Sequence, residues 1–89
     1  MSTTEPPNHL QRLFDFLDEL ERHKFYFSLE RNRPETIMVR VDVPVEFWEI
    51  EFFADGEIEV EIFRSTGGGV MGGSEAQAAL KRLITDFAV

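Results

Sequence analysis

The stretch WEIEFFADGEIEVEIF, from Trp48 to Phe63, constrains the fold more than any other part of the chain. Apolar and acidic residues alternate on both sides of Ala54-Asp55-Gly56, the pattern of two half-buried strands joined by a tight turn. Two registers compete. A two-residue Asp-Gly loop pairs Ala54 with Glu57 and sets Phe52 against Glu59. A three-residue loop, a type I turn followed by Gly56 in the left-handed region, pairs Phe53 with Glu57. Only the second keeps one face apolar, with Phe52 opposite Ile58, Ile50 opposite Val60 and Trp48 opposite Ile62.

That register has a consequence on the other face. Glu51 meets Glu59, Glu49 meets Glu61, and Phe47 meets Phe63. Like charges directly opposite cost about 0.2–1 kcal/mol per pair. Arg40 on the preceding strand is expected beside Glu49 or Glu51, with Tyr26 close to Arg40. The outer face thus reads as an acidic field framed by Phe47, Phe53 and Phe63. Acidic side chains beside exposed aromatics suit recognition of a basic protein partner. The plain alternative is a solvated sheet face whose glutamates discourage edge-to-edge aggregation. A third reading covers the aromatics in a structural homodimer, through the face or an edge strand.

Further elements follow from periodicity. Asn8 with Gln11 is a capping box opening a helix from about Asn8 to His23. Its apolar stripe is Leu10, Leu13, Phe14, Leu17 and Leu20, with Phe16 at the edge. KFYFSLER alternates Phe25, Phe27 and Leu29 with Tyr26, Ser28 and Glu30 as a first strand, and Asn32 to Glu35 is a turn around Pro34. TIMVRVDV is a second strand, with Ile37, Val39, Val41 and Val43 on one face, ended by Pro44. Ser65 to Gly73 reads as a flexible connector. Ser74 to Gln77 is a second capping box, opening a helix with Ala76, Leu80, Leu83, Ile84 and Phe87 on its stripe. The expected fold is α+β: a two-layer sandwich in which a four-stranded antiparallel meander carries an N-terminal and a C-terminal helix on one face. Residues 1–7 are expected to be a flexible tail, and 8–89 a single α+β domain.

The chain has 89 residues, no cysteine and a formal net charge of −8. That acidity disfavours nucleic acid, whose phosphates need clustered Lys and Arg, and anionic membranes. The absence of cysteine excludes disulfides and thiolate metal sites. No apolar run approaches a membrane span, and MSTTEPPNH lacks the basic and apolar regions of a secretion signal. The expected compartment is the cytoplasm.

Catalytic signatures are missing. Gly67-Gly68-Gly69-Val70-Met71-Gly72 matches G-x-G-x-x-G, but no strand and acid follow the helix as a dinucleotide site requires. A small enzyme or ligand binder using the Gly67–Gly73 loop is the remotest reading. His9 and His23 lie too far apart on their helix to share a metal, and flat strands do not cage a cation between Glu49, Glu51, Glu59 and Glu61. Ser65 and Ser74 have no nearby His to activate them. No catalytic residue, cofactor or metal is expected.

Ile37 to Gly68, IMVRVDVPVEFWEIEFFADGEIEVEIFRSTGG, resembles a group of small bacterial proteins with the pattern Pro-Gly-Glu-x-Trp, an alternating Glu/apolar strand, Asp-Gly, then Val-Glu-Val-Glu-x-Phe. Pro44, Glu46, Trp48, Asp55, Gly56 and Phe63 fit it, while Val45 stands where Gly is usual. Some of these proteins resemble immunity proteins, inhibitors of polymorphic bacterial toxins. The resemblance implies a binding module whose partner is a basic toxin domain, and no catalytic residue.

Overall fold

A computed structural model of the chain describes residues 8–64 and 67–87. The expected tail at 1–7 and the Ser65-Thr66 part of the expected connector lie outside them. The elements run α1 (His9–Arg22), β1 (Tyr26–Glu30), β2 (Thr36–Val43), β3 (Glu46–Phe53), β4 (Ile58–Arg64), β5 (Gly67–Gly72) and α2 (Gly73–Phe87). All strands are antiparallel neighbours in the order β1-β2-β3-β4-β5. The architecture is α+β with an antiparallel meander and two helices, but the sheet has five strands rather than four.

The fifth strand corrects the flexible-connector reading of Gly67 to Gly73. Its backbone pairs with β4 from Glu59↔Gly72 to Arg64↔Gly67. Glycine weakens a strand by entropy but keeps both backbone hydrogen-bonding groups, so pairing with a well-anchored neighbour still forms. The second capping box is also corrected: α2 begins at Gly73, whose φ of 56° turns the chain off the sheet, and Ser74 already lies inside the helix.

The β3–β4 hairpin adopts the bulged register. Phe52 faces Ile58, Ile50 faces Val60 and Trp48 faces Ile62. The Phe53 N–H donates to the Glu57 carbonyl at 2.9 Å, and the Gly56 N–H to the Phe53 carbonyl at 2.9 Å. Gly56 has φ 94°, a region L side chains rarely enter. Asp55 Oδ1 accepts from the Glu57 N–H at 3.0 Å, adding a side-chain brace to the turn.

One apolar cluster joins both helices to the inner sheet face. Leu13, Phe16 and Leu20 of α1 and Ala76, Ala79 and Leu83 of α2 pack with Val39, Val41, Trp48, Ile50, Phe52, Ile58, Val60 and Ile62. The stripe of α1 is rotated from the expected one. Phe16 is buried against Phe52, with ring centroids 5.6 Å apart, whereas Leu10 and Phe14 are 60% and 48% exposed. Positions 13, 16, 17 and 20 satisfy helical spacing as well as 10, 13, 14, 17 and 20 do, and the docking of α1 selects between them. Leu29, expected to point inward, is exposed at the β1 edge.

Helix α1 is capped at both ends. Asn8 Oδ1 accepts from the Gln11 N–H at 2.9 Å, but the Gln11 amide turns to Asp15, so only half of the capping box forms. At the other end the Phe25 N–H reaches the Leu20 carbonyl at 2.9 Å and the Lys24 N–H the Glu21 carbonyl at 3.1 Å, with Lys24 at φ 60°. This is a Schellman motif with Lys where Gly is usual. No helix of the described residues is long and apolar enough to cross a membrane.

Candidate functional site

The outer face is built by strand parity. Residues two apart along each strand share a face, and the register aligns them in rows across the sheet. One row runs Glu30, Met38, Glu51, Glu59, Gly72. The next runs Ser28, Arg40, Glu49, Glu61, Val70. The third runs Tyr26, Asp42, Phe47, Phe63, Gly68. The expected oppositions Glu51↔Glu59, Glu49↔Glu61 and Phe47↔Phe63 are all present.

Phe47 and Phe63 stack with centroids 4.5 Å apart and planes 9° from parallel. The Arg40 guanidinium carbon lies 4.0 Å from the Phe47 centroid, a cation–π contact, while its Nε reaches Asp42 Oδ1 at 3.4 Å. Arg40 thus sits across from Glu49 in register, as expected, but its ion pair is with Asp42. Tyr26 pairs with Asp42, one row from Arg40 on the same face, and is 82% exposed at the edge.

Glu51 is the correction to the acidic field. It is only 7% exposed. Arg33 Nε donates to Glu51 Oε2 at 3.0 Å and Arg33 Nη2 to Oε1, while Thr36 Oγ1 donates to Oε2 at 2.8 Å. The Arg33 hydrogen bonds hold the Glu51 carboxyl below the usual glutamate range, against burial, which pushes it up. Arg33 also lies over Phe53, 5.0 Å from its ring centroid. Glu51 therefore belongs to a structural clamp at one end of the sheet, with half-buried Phe53 beneath the same guanidinium. Arg33 was missed in the sequence. The topology was the available signal, since the β1–β2 turn and the Ala54–Gly56 turn must lie at the same end.

Glu46 plays a matching part on the inner side of β3. Burial raises its carboxyl, but hydrogen bonds from Trp48 Nε1 at 2.9 Å and Arg64 Nε at 2.7 Å bring it below the usual range. Of the four glutamates of the expected field, Glu49, Glu61 and Glu59 remain on the outer face. None of the three has an ion-pair partner among the described residues. They border a dent of about 30 Å³ with Met38 and Val70, room for a water rather than a substrate. No group of three or more His, Cys, Asp or Glu among the described residues is arranged to hold a metal ion.

A second residue missed in the sequence is Val45. It occupies the tip of the β2–β3 turn at φ 64° and is 89% exposed, beside Phe47 and Phe63. Pro44 before it and a positive φ at Val45 follow the type II pattern, which favours Gly at that position. A β-branched side chain here is strained and presented to solvent. The departure of Val45 from the expected Gly was the sequence signal. At the opposite end, a groove of about 470 Å³ lies between α1 and the β2–β3 strands, lined by His9, Leu10, Leu13, Ile37 and Phe52 among others.

Together these residues make a surface of three carboxylates with no ion-pair partner among the described residues, a stacked ring pair and an apolar tip. Comparison with family models, curated proteins and solved structures gives no significant match to this chain.

Proposed function

We propose that this chain is a non-enzymatic binding module that takes a basic protein partner on its outer sheet face, in the manner of an immunity-type inhibitor of a basic toxin domain. The observation that carries the reading is the opposition of Glu49 and Glu61, with Glu59 one row on, beside the Phe47–Phe63 stack. The free protein bears the cost of those opposed charges, and cations from a partner would remove it. Phe47 and Phe63, half-buried in the free chain and extended by exposed Val45, supply apolar area that a partner can desolvate. The charges would speed encounter and the rings would slow release.

The experiment is a comparison of partner binding by the wild-type chain and by the double variant Glu49→Lys, Glu61→Lys. The partner is recovered from the native host by crosslinking and then purified for calorimetry. The expected result is loss of binding in a variant that remains folded. Unchanged affinity for a purified partner would end the acidic-face reading. Light scattering of the free protein separates this function from a structural homodimer.

A further inference from the structure

The sheet ends at β5, and the register determines which of its backbone groups face outward. In an antiparallel pair, residues whose N–H and C=O point to one neighbour alternate with residues that point to the other. Phe53 is hydrogen-bonded to Glu57 across the hairpin, so Glu59, Glu61 and Phe63 direct their backbone groups to β3. Val60, Ile62 and Arg64 therefore direct theirs to β5, where they meet Met71, Gly69 and Gly67. Gly68, Val70 and Gly72 are left with N–H and C=O groups on the open edge. No other backbone partner holds those groups among the described residues.

Natural edge strands are usually blunted by charge, proline, bulges or brevity. Gly67–Gly72, GGGVMG, has six residues with no charge and no proline, paired without a bulge. The residues that face outward along the edge are also those on the outer sheet face. Gly72 lies in the row of Glu59, Val70 in the row of Glu61, and Gly68 in the row of Phe63. Glycine at 72 leaves the path from the edge to Glu59 open: a Cβ built there meets only the Ile58 carbonyl oxygen, at 4.0 Å.

We infer that β5 is a docking edge, where an extended basic segment of a partner polypeptide adds as a sixth antiparallel strand. The inference rests on the proposed binding of a basic partner and gives that binding its geometry. The incoming strand hydrogen-bonds to Gly68, Val70 and Gly72. Its side chains opposite Gly72 and Val70 share the outer face with Glu59 and Glu61, so Lys or Arg there meet carboxylates without cations. The side chain opposite Gly68 lies beside Phe63 and is apolar or aromatic. Read from its N-terminus, the segment is basic, any, basic, any, aromatic. A second copy of this chain is a poor occupant, because pairing two β5 edges brings the Glu59 and Glu61 rows of both copies together at a net charge of −8 each.

The test uses the full chain and a blocked synthetic peptide in which Arg, Arg and Phe alternate with Thr, with a control peptide carrying Glu for both Arg. Wild-type protein is expected to bind the basic peptide and not the control, with amide protection appearing at Gly68, Val70 and Gly72. Val70→Pro removes an N–H that β4 does not use, and is expected to weaken binding about tenfold or more while the circular dichroism and melting curve stay near wild type. Gly72→Lys, for which there is space, is expected to weaken it as well by placing a cation in front of Glu59. Absence of peptide binding, or wild-type affinity in both variants, overturns the docking edge. If both edge variants bind normally while Glu59→Gln with Glu61→Gln weakens binding, the edge falls and the acidic face stands. If the glutamine pair changes nothing, the acidic face falls too. A dimer in sedimentation that Val70→Pro dissolves would make a second copy the occupant and overturn the inference.

Discussion

Arg33 closes over Glu51 from the β1–β2 turn, its Nε 3.0 Å from Oε2, and Glu51 beneath it is 7% exposed. This pair takes one of the four expected glutamates out of the outer field and fastens a turn to the middle of the sheet. Arg33→Ala leaves the carboxylate with Thr36 alone. Because half of Arg33 faces solvent, solvent screening discounts the pair, and the expected outcome is a modestly lower midpoint in urea unfolding.

Acid should act through the same group. The folded-state carboxyls of Glu51 and Glu46 titrate below their usual value, so the stability they confer is complete above the unfolded value and is lost as pH falls through the folded one. Unfolding free energy is expected to vary little from pH 7 to about pH 5 through these groups and to decline below about pH 4.5. Glu51→Gln should flatten that decline in urea titrations across the range.

Relief of the opposed charges should be measurable without any partner. Glu61→Lys places a cation across from Glu49, and the free protein is expected to gain about 0.5–1 kcal/mol. The gain should shrink in high salt, which screens the repulsion it removes. Equal stability of wild type and variant at low salt would mean that the ladder carries no cost.

Two side chains occupy backbone conformations that suit glycine. Lys24 at φ 60° and Val45 at φ 64° are each expected to give a more stable protein as Gly, by about 0.5–1 kcal/mol after the added entropy of the unfolded chain is subtracted. Val45→Gly is in addition expected to weaken partner binding, because the exposed tip lies beside Phe47 and Phe63, whereas Lys24→Gly is not. Thermal unfolding and calorimetry separate the two effects.

Gly56→Ala meets two obstacles together. The residue sits at φ 94°, and a Cβ there would lie 2.7 Å from His9 Nδ1. Loss of about 2 kcal/mol or more is expected in urea unfolding. Adding His9→Ala should recover only the steric part.

Much of this was legible because it is local. The turn chemistry of Asp55-Gly56 and the period of two settle every pair from Phe52↔Ile58 to Phe47↔Phe63. Glycines carry no period, so Gly67 to Gly72, with side chains only at Val70 and Met71, showed no alternation and its pairing with β4 stayed hidden. The clamp on Glu51 was hidden for another reason: Arg33 meets it across 18 residues, through a turn whose side-chain directions depend on the assembled sheet. The rotation of α1 onto Phe16 is likewise a docking outcome, since two stripes on that helix satisfy the same spacing.

The position of α2 has a consequence for how the chain emerges from the ribosome. Ala76, Ala79 and Leu83 are wholly buried and complete the core, yet they follow all five strands in order. Until residues 73–87 clear the exit tunnel, the nascent sheet holds Val60 and Ile62 without their final cover, and α1 alone shelters the newborn hydrophobic layer. Closure of this core must therefore wait for α2, and a stalled translation product ending at Gly72 would present a sticky half-built face to chaperones.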